Sequence, residues 1–175
     1  MNIFYLHPNP MEAPRYLYNK HSVKMVLETA QILCTAHQVL AEETGVNTDY
    51  IPYRKAYYNH PSCVWARKSK ANYDWLFSYF ASISIEYFTR YDRIHQSWIR
   101  CRHLSKAPVG IPRVNFTQPP QCMPEEFHNK CSVKAYWDYY INDKKHIAEN
   151  TEDVISVNPY AEIKKNSIFV DATSI

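Results

Sequence analysis

Residues 23–40, placed at 100° per residue, leave polar side chains on one narrow stripe. The stripe is Lys24, Glu28, Gln31, Thr35 and Gln38, and the rest of the circumference is apolar with His37 as its main interruption. A helix of this kind must be wrapped by the rest of the chain. The apolar periodicity from about Lys20 to Ala41 therefore predicts a largely buried first helix in a mainly α, compact single-domain bundle. Its stripe has two readings. Either it reaches solvent through a slot, with Lys24 and Glu28 as an ordinary i,i+4 ion pair, or it lines a site in which a carboxylate held in low dielectric serves as base or ligand anchor.

Other elements follow from local signals. Residues 2–6, apolar but for Asn2, read as a short strand or an extended lead-in, ended by prolines at 8, 10 and 14. Pro61 opens a short helix through Arg67, and Ser69 caps a long aromatic helix to about Tyr91, with another helix or a bent extension over 92–106. Five prolines between Pro108 and Pro124 demand a long extended surface loop, a feature more often functional than idle. Helical spacing returns over 131–149, and a last strand is expected at Ser167 to Val170. The division expected is a helical nucleotide-binding domain over 1–150 and a partly mobile C-terminal extension over 151–175.

Composition removes several function classes. Glycine occurs only at 45 and 110, so there is neither a Walker loop nor a GxGxxG turn. A net charge of +3 is too small for a sequence-blind DNA coater, so any phosphate attraction is local. The five cysteines have no CxxC spacing, which argues against a disulfide framework and a zinc knuckle. Eight histidines without HExxH, and serines without GxSxG, give no metal centre and no hydrolase elbow, and no cofactor is expected. The start of the chain has no signal-peptide pattern and no stretch is apolar enough to span a membrane, so the chain reads as cytoplasmic.

Residues 51–73 carry Arg54, Lys55, Arg67, Lys68 and Lys70 without an Asp or Glu, interleaved with Tyr53, Tyr57, Tyr58, Trp65 and Tyr73. Cations satisfy phosphates while aromatic faces stack on bases, so this alternation suits a nucleotide or a single strand. The same pattern fits a basic surface over core tyrosines. Asn59-His60-Pro61 falls where a helix begins, so His60 reads as a phosphate or proton contact, or as a residue that ties down a turn. A third basic face is Arg93, Gln96, Arg100 and His103. The expected ligand set is Lys24, Glu28, Gln31, Arg54, Tyr57, Asn59, His60, Trp65, Arg67, Lys68 and Asn72, with Glu28 catalytic if the protein is an enzyme.

Leu6-His7-Pro8, Lys20 to Met25, Leu27 to Gln31, Asn59 to Ser62, Trp65, Arg67, Asn72-Tyr73 and Trp75-Leu76, read together with Pro119 to Gln121 and Met123-Pro124, resemble a family of small tailed-phage proteins. Leu6-His7-Pro8, Glu28, Asn59-His60-Pro61 and the Glu86 to Tyr91 segment are also similar to the pyrimidine-dimer DNA glycosylases. That second resemblance implies an N-terminal amine attacking the sugar with help from a helical glutamate, and Glu28 matches the glutamate. Asn2 is too large for the usual removal of the initiator Met, so the chain is expected to keep Met1 and to lack the family's nucleophile.

Phage context then implies a binder that sequesters a nucleotide-derived molecule, such as a signal of bacterial immunity, in the host cytoplasm. The alternatives are a glycosylase-like nucleic-acid enzyme using Glu28 and a protein–protein inhibitor that docks through its aromatic surface and Pro-rich loop. A homo-oligomer is compatible with any of them.

Overall fold

A computed structural model describes residues 1–147. Its helices are α1 (Asn19–Thr44), α2 (Pro61–Lys68), α3 (Lys70–Tyr91), α4 (Gln96–Cys101) and α5 (Ser132–Asn142), with short 3-10 turns between them and no strand among the described residues. The strand expected at 167–170 and the extension at 151–175 lie outside the described residues.

α2, α3 and α4 each start where a side chain supplies a missing backbone partner. Ser69 Oγ accepts the N–H of Ala71 at 3.1 Å to open α3. Two histidines do the same work less conventionally: Nδ1 of His60 accepts from the Ser62 N–H and Nδ1 of His95 from the Ser97 N–H, each at 3.1 Å. α1 ends on Gly45 at φ 70°, the left-handed turn that glycine enters without strain. Asp92, also left-handed at φ 49°, ends α3, so the 92–106 region is a separate short helix followed by the 3-10 turn Arg102–Ser105.

α1 packs against α2, α3 and α4 and forms the centre of the molecule. Its apolar circumference is not wholly covered, since Val23 and Leu27 are each 38% exposed. Residues 2–6 form an irregular lead-in rather than a strand, turned at Phe4 (φ 50°) where the Leu6 N–H donates to the Phe4 carbonyl at 2.8 Å, and Ile3, Phe4, Tyr5 and Leu6 are buried in the core. Such a segment cannot pair with a neighbouring strand, so its polar groups need side-chain partners. The indole of Trp137 donates to the Leu6 carbonyl at 2.8 Å and that of Trp75 to the Pro8 carbonyl at 2.7 Å. Phe4 stacks on His21 at 4.4 Å and meets the edge of Tyr140 on α5.

The Pro-rich stretch is the expected extended loop, and it is stitched down. Trp65 Nε1 donates to the Thr117 carbonyl at 2.8 Å, Asn72 Oδ1 accepts from the Thr117 N–H at 2.9 Å, and Ser69 Oγ donates to the Val114 carbonyl at 2.6 Å.

Candidate active site

The buried lead-in brings the first residues of the chain onto α1 and α2. Oε2 of Glu28 accepts the backbone N–H of Asn2 at 3.1 Å, while Oε1 pairs with Lys24 Nζ at 3.1 Å. The Glu28 side chain is 14% exposed and that of Lys24 67%. The expected surface ion pair is therefore present, but the carboxylate also faces the amino-terminal segment, so the polar stripe does more than meet solvent. Asn2 is fixed on both sides: its Nδ2 donates to the Cys122 carbonyl at 2.9 Å and its Oδ1 accepts from the N–H groups of Ile3 and Phe4. Cys63 on α2 holds its thiol 3.7 Å from the Met1 sulfur.

Electrostatics tie these groups together. His60, half-buried, has its pKa lowered first by burial and next by the positive charge of the amino terminus, with Glu28 opposing. Burial, Lys24 and Lys144 push His21 down to about 4, again against Glu28. Tyr79 on α3 is fully buried, and burial followed by the Glu28 charge drives its phenol well above the ordinary range. Burial raises the Cys63 thiol to about 11, partly offset by Arg67 and the amino terminus. Glu28, His60 and the amine of residue 1 thus share one electrostatic neighbourhood.

The remainder of the stripe divides. Gln31 stays half-buried near the site, whereas Thr35 Oγ1 exchanges hydrogen bonds with Ala56 and Gln38 Nε2 donates to the Tyr53 carbonyl at 3.0 Å. Those two residues clamp the connector onto α1. A cleft of about 340 Å³ lies at the far end of the helix among Gln38, Glu42, Thr48 and Lys55, roughly 15 Å along α1 from Glu28.

The basic aromatic segment also divides. Trp65 and Tyr73 are core residues, and Tyr53 is half-buried with its hydroxyl on Ser97. Tyr57 and Tyr58 are 74% and 48% exposed. Lys55 pairs with Glu42 near the end of α1 and Lys70 with Asp74 one turn on, so carboxylates absent from the segment reach it from outside. Arg67 Nη1 donates to the Tyr58 carbonyl at 2.6 Å, while Arg54, Asn59 and Lys68 stand exposed. Asn72 is buried with its amide committed to Trp65 and Thr117, so it and Trp65 hold the Pro-rich loop. The face of Arg93, Gln96, Arg100 and His103 is exposed and belongs to a different side chain group from Glu28.

Sequence reasoning missed Met1, Asn2, Cys63 and Tyr79. Two signals bore on residues 1 and 2: the apolar run Ile3–Leu6, whose burial fixes where they lie, and the resemblance that set an N-terminal amine beside Glu28. No group of three or more His, Cys, Asp or Glu able to hold a metal occurs among the described residues, and no described helix is long and apolar enough to cross a membrane.

Compared with known families, residues 1–100 match the model described as pyrimidine dimer DNA glycosylase, a span that contains the buried lead-in, Glu28 and His60. No curated protein and no solved structure matches the chain.

Proposed function

The chain belongs to the pyrimidine dimer DNA glycosylase family, and on that premise we propose that it binds DNA and breaks the bond between a base and its deoxyribose, with Glu28 as the acid–base group. The carrying observation is the Asn2 N–H to Glu28 contact at 3.1 Å, which holds the acid beside the start of the chain. This reading takes Met1 as the first residue of the working protein and its amine as the nucleophile. The family favours it over sequestration of a nucleotide, the reading that retention of Met1 suggested from sequence.

In the proposed reaction the amine attacks C1′ of the sugar and the C1′–N bond breaks, its electrons leaving with the base, which takes up a proton. Glu28 accepts the proton the amine loses. The sugar ring then opens as a C1′=N bond forms, and Glu28 returns the proton to the ring oxygen. Water releases the sugar from the imine. A positioned acid–base group of this sort contributes typically 10²- to 10⁴-fold. Lys24 and the exposed Arg54 and Lys68 supply positive charge for phosphates near the site. Gln31, Asn59 and His60 complete the polar rim.

The test is borohydride reduction during incubation with duplex DNA carrying either a pyrimidine dimer or an abasic site. We expect a covalent adduct that peptide mass spectrometry locates at residue 1. Absence of an adduct on both substrates overturns the reading.

A further inference from the structure

Tyr57 combines three features that do not usually coincide. It is 74% exposed. Its backbone is left-handed, φ 47°, a strained conformation for a bulky residue that persists only where the surroundings impose it. The surroundings do impose it. Ala56 is clamped by Thr35 Oγ1, the Tyr57 carbonyl accepts the His60 N–H at 2.8 Å, the Tyr58 carbonyl accepts from Arg67, and His60 is held as the cap of α2. The loop backbone is thus fastened at three successive residues, 56 to 58, and again at His60, while the ring of Tyr57 projects into solvent. Folding alone gives no reason to hold an exposed phenol in a strained, rigid mount.

The mount adjoins the site. Cys63 touches both Met1 Sδ at 3.7 Å and the Ala56 carbonyl at 3.9 Å, so one thiol separates residue 1 from the residue before Tyr57. Exposed Arg54 and Lys68 flank the loop in sequence, and no carboxylate occurs between residues 51 and 73. A rigid aromatic ring with nearby cations, beside a group that must reach C1′ of a nucleoside, has the chemistry to occupy space in a base stack.

We propose that Tyr57 enters the base stack of bound DNA next to the reacting nucleoside and stacks on the adjoining base, which exposes C1′ to residue 1. The proposal rests on the DNA glycosylase reading above. Tyr58, whose ring carries Lys55 Nζ at 5.2 Å, backs the loop rather than entering the stack.

The test uses a duplex with a tetrahydrofuran abasic analogue, which binds but cannot form an imine, and 2-aminopurine as the neighbouring base. Wild-type protein should change the 2-aminopurine fluorescence on binding. Tyr57→Ala should abolish that change and weaken binding roughly tenfold or more. Tyr57→Phe and Tyr57→Trp should retain both, since the ring and not the hydroxyl does the stacking. Tyr57→Gly, which relieves the positive φ, should melt no lower than wild type yet behave as Tyr57→Ala, separating the ring's role from a structural one. An unchanged fluorescence response in Tyr57→Ala, or one lost equally in Tyr57→Phe, overturns the proposal. If wild type gives the borohydride adduct but no fluorescence change, Tyr57 is not the stacking group and the glycosylase reading stands. If wild type gives no adduct on dimer or abasic DNA, the glycosylase reading falls and takes the proposal with it.

Discussion

Glu28 and Asn2 meet across 26 residues of sequence, the backbone N–H of Asn2 donating to Oε2 of Glu28 at 3.1 Å. A carboxylate inside a largely apolar helix is thereby given a partner that only the amino-terminal segment can supply.

Glu28→Gln keeps the volume and an oxygen that still accepts from Asn2, and it loses an ion pair whose lysine is 67% exposed and worth at most about 0.5 kcal/mol. The fold should therefore survive with a nearly unchanged melting temperature. Release of the base, or borohydride trapping on abasic DNA, should fall about 100-fold or more. Full activity in a folded Glu28→Gln protein would remove Glu28 from the mechanism.

Acetylating the amine of residue 1 removes its nucleophilicity without touching Glu28. Trapping should disappear, while binding to the tetrahydrofuran duplex should change by less than about threefold, because one positive charge near exposed phosphates contributes little at physiological salt. Persistent trapping on a modified chain would move the nucleophile to a lysine side chain.

Asn72→Ala strips partners from the Trp65 carbonyl and the Thr117 N–H, both part-buried or buried. Each unsatisfied group costs about 1–3 kcal/mol, so urea denaturation should show a loss of roughly 2–4 kcal/mol. Limited proteolysis should then cut within the 108–124 loop, which wild type protects through Trp65, Ser69 and Asn72.

Acid should destabilise the protein before its carboxylates titrate. His21 and His37 are buried, and burial lowers both from 6.5 to about 4, helped by Lys24 at His21 and by His103 at His37. Between those values the unfolded chain binds two protons that the folded chain excludes, so stability is greatest above about pH 6.5 and falls as the pH drops towards 4. The loss should be on the order of 3 kcal/mol per histidine by pH 4. Urea midpoints measured from pH 7.5 to 4.5 should show the slope, and His37→Gln should reduce it by about half. A flat profile would mean that these rings are protonated in the folded state.

Local chemistry was readable in the sequence wherever it acts within one turn. Ser69 and Pro61 set their helices because a hydroxyl or a prolyl ring acts on residues two or three positions away. The prolines from 108 to 124 forced an extended loop for the same reason. His60 was readable as a residue that ties down the turn before Pro61, whereas His95 as a cap was hidden because imidazole is a rarer acceptor at that position than a hydroxyl or carboxylate. The division of the aromatic segment was hidden too. Tyr57 and Tyr73 differ in exposure through contacts made by α1 and the 102–105 turn, far away in sequence. Glu28 could be singled out by its stripe, but its partner at Asn2 depends on how four apolar residues thread the core, which no periodicity encodes.

The Trp137 indole that secures the Leu6 carbonyl has a temporal meaning. Leu6 precedes Trp137 by more than a hundred positions, so its carbonyl gains its indole partner only after α5 has been made. Until α5 emerges, a growing chain therefore lacks one of the bonds that hold the lead-in in the core. The order of synthesis thus leaves the anchoring of the amino-terminal segment in the core to be completed late.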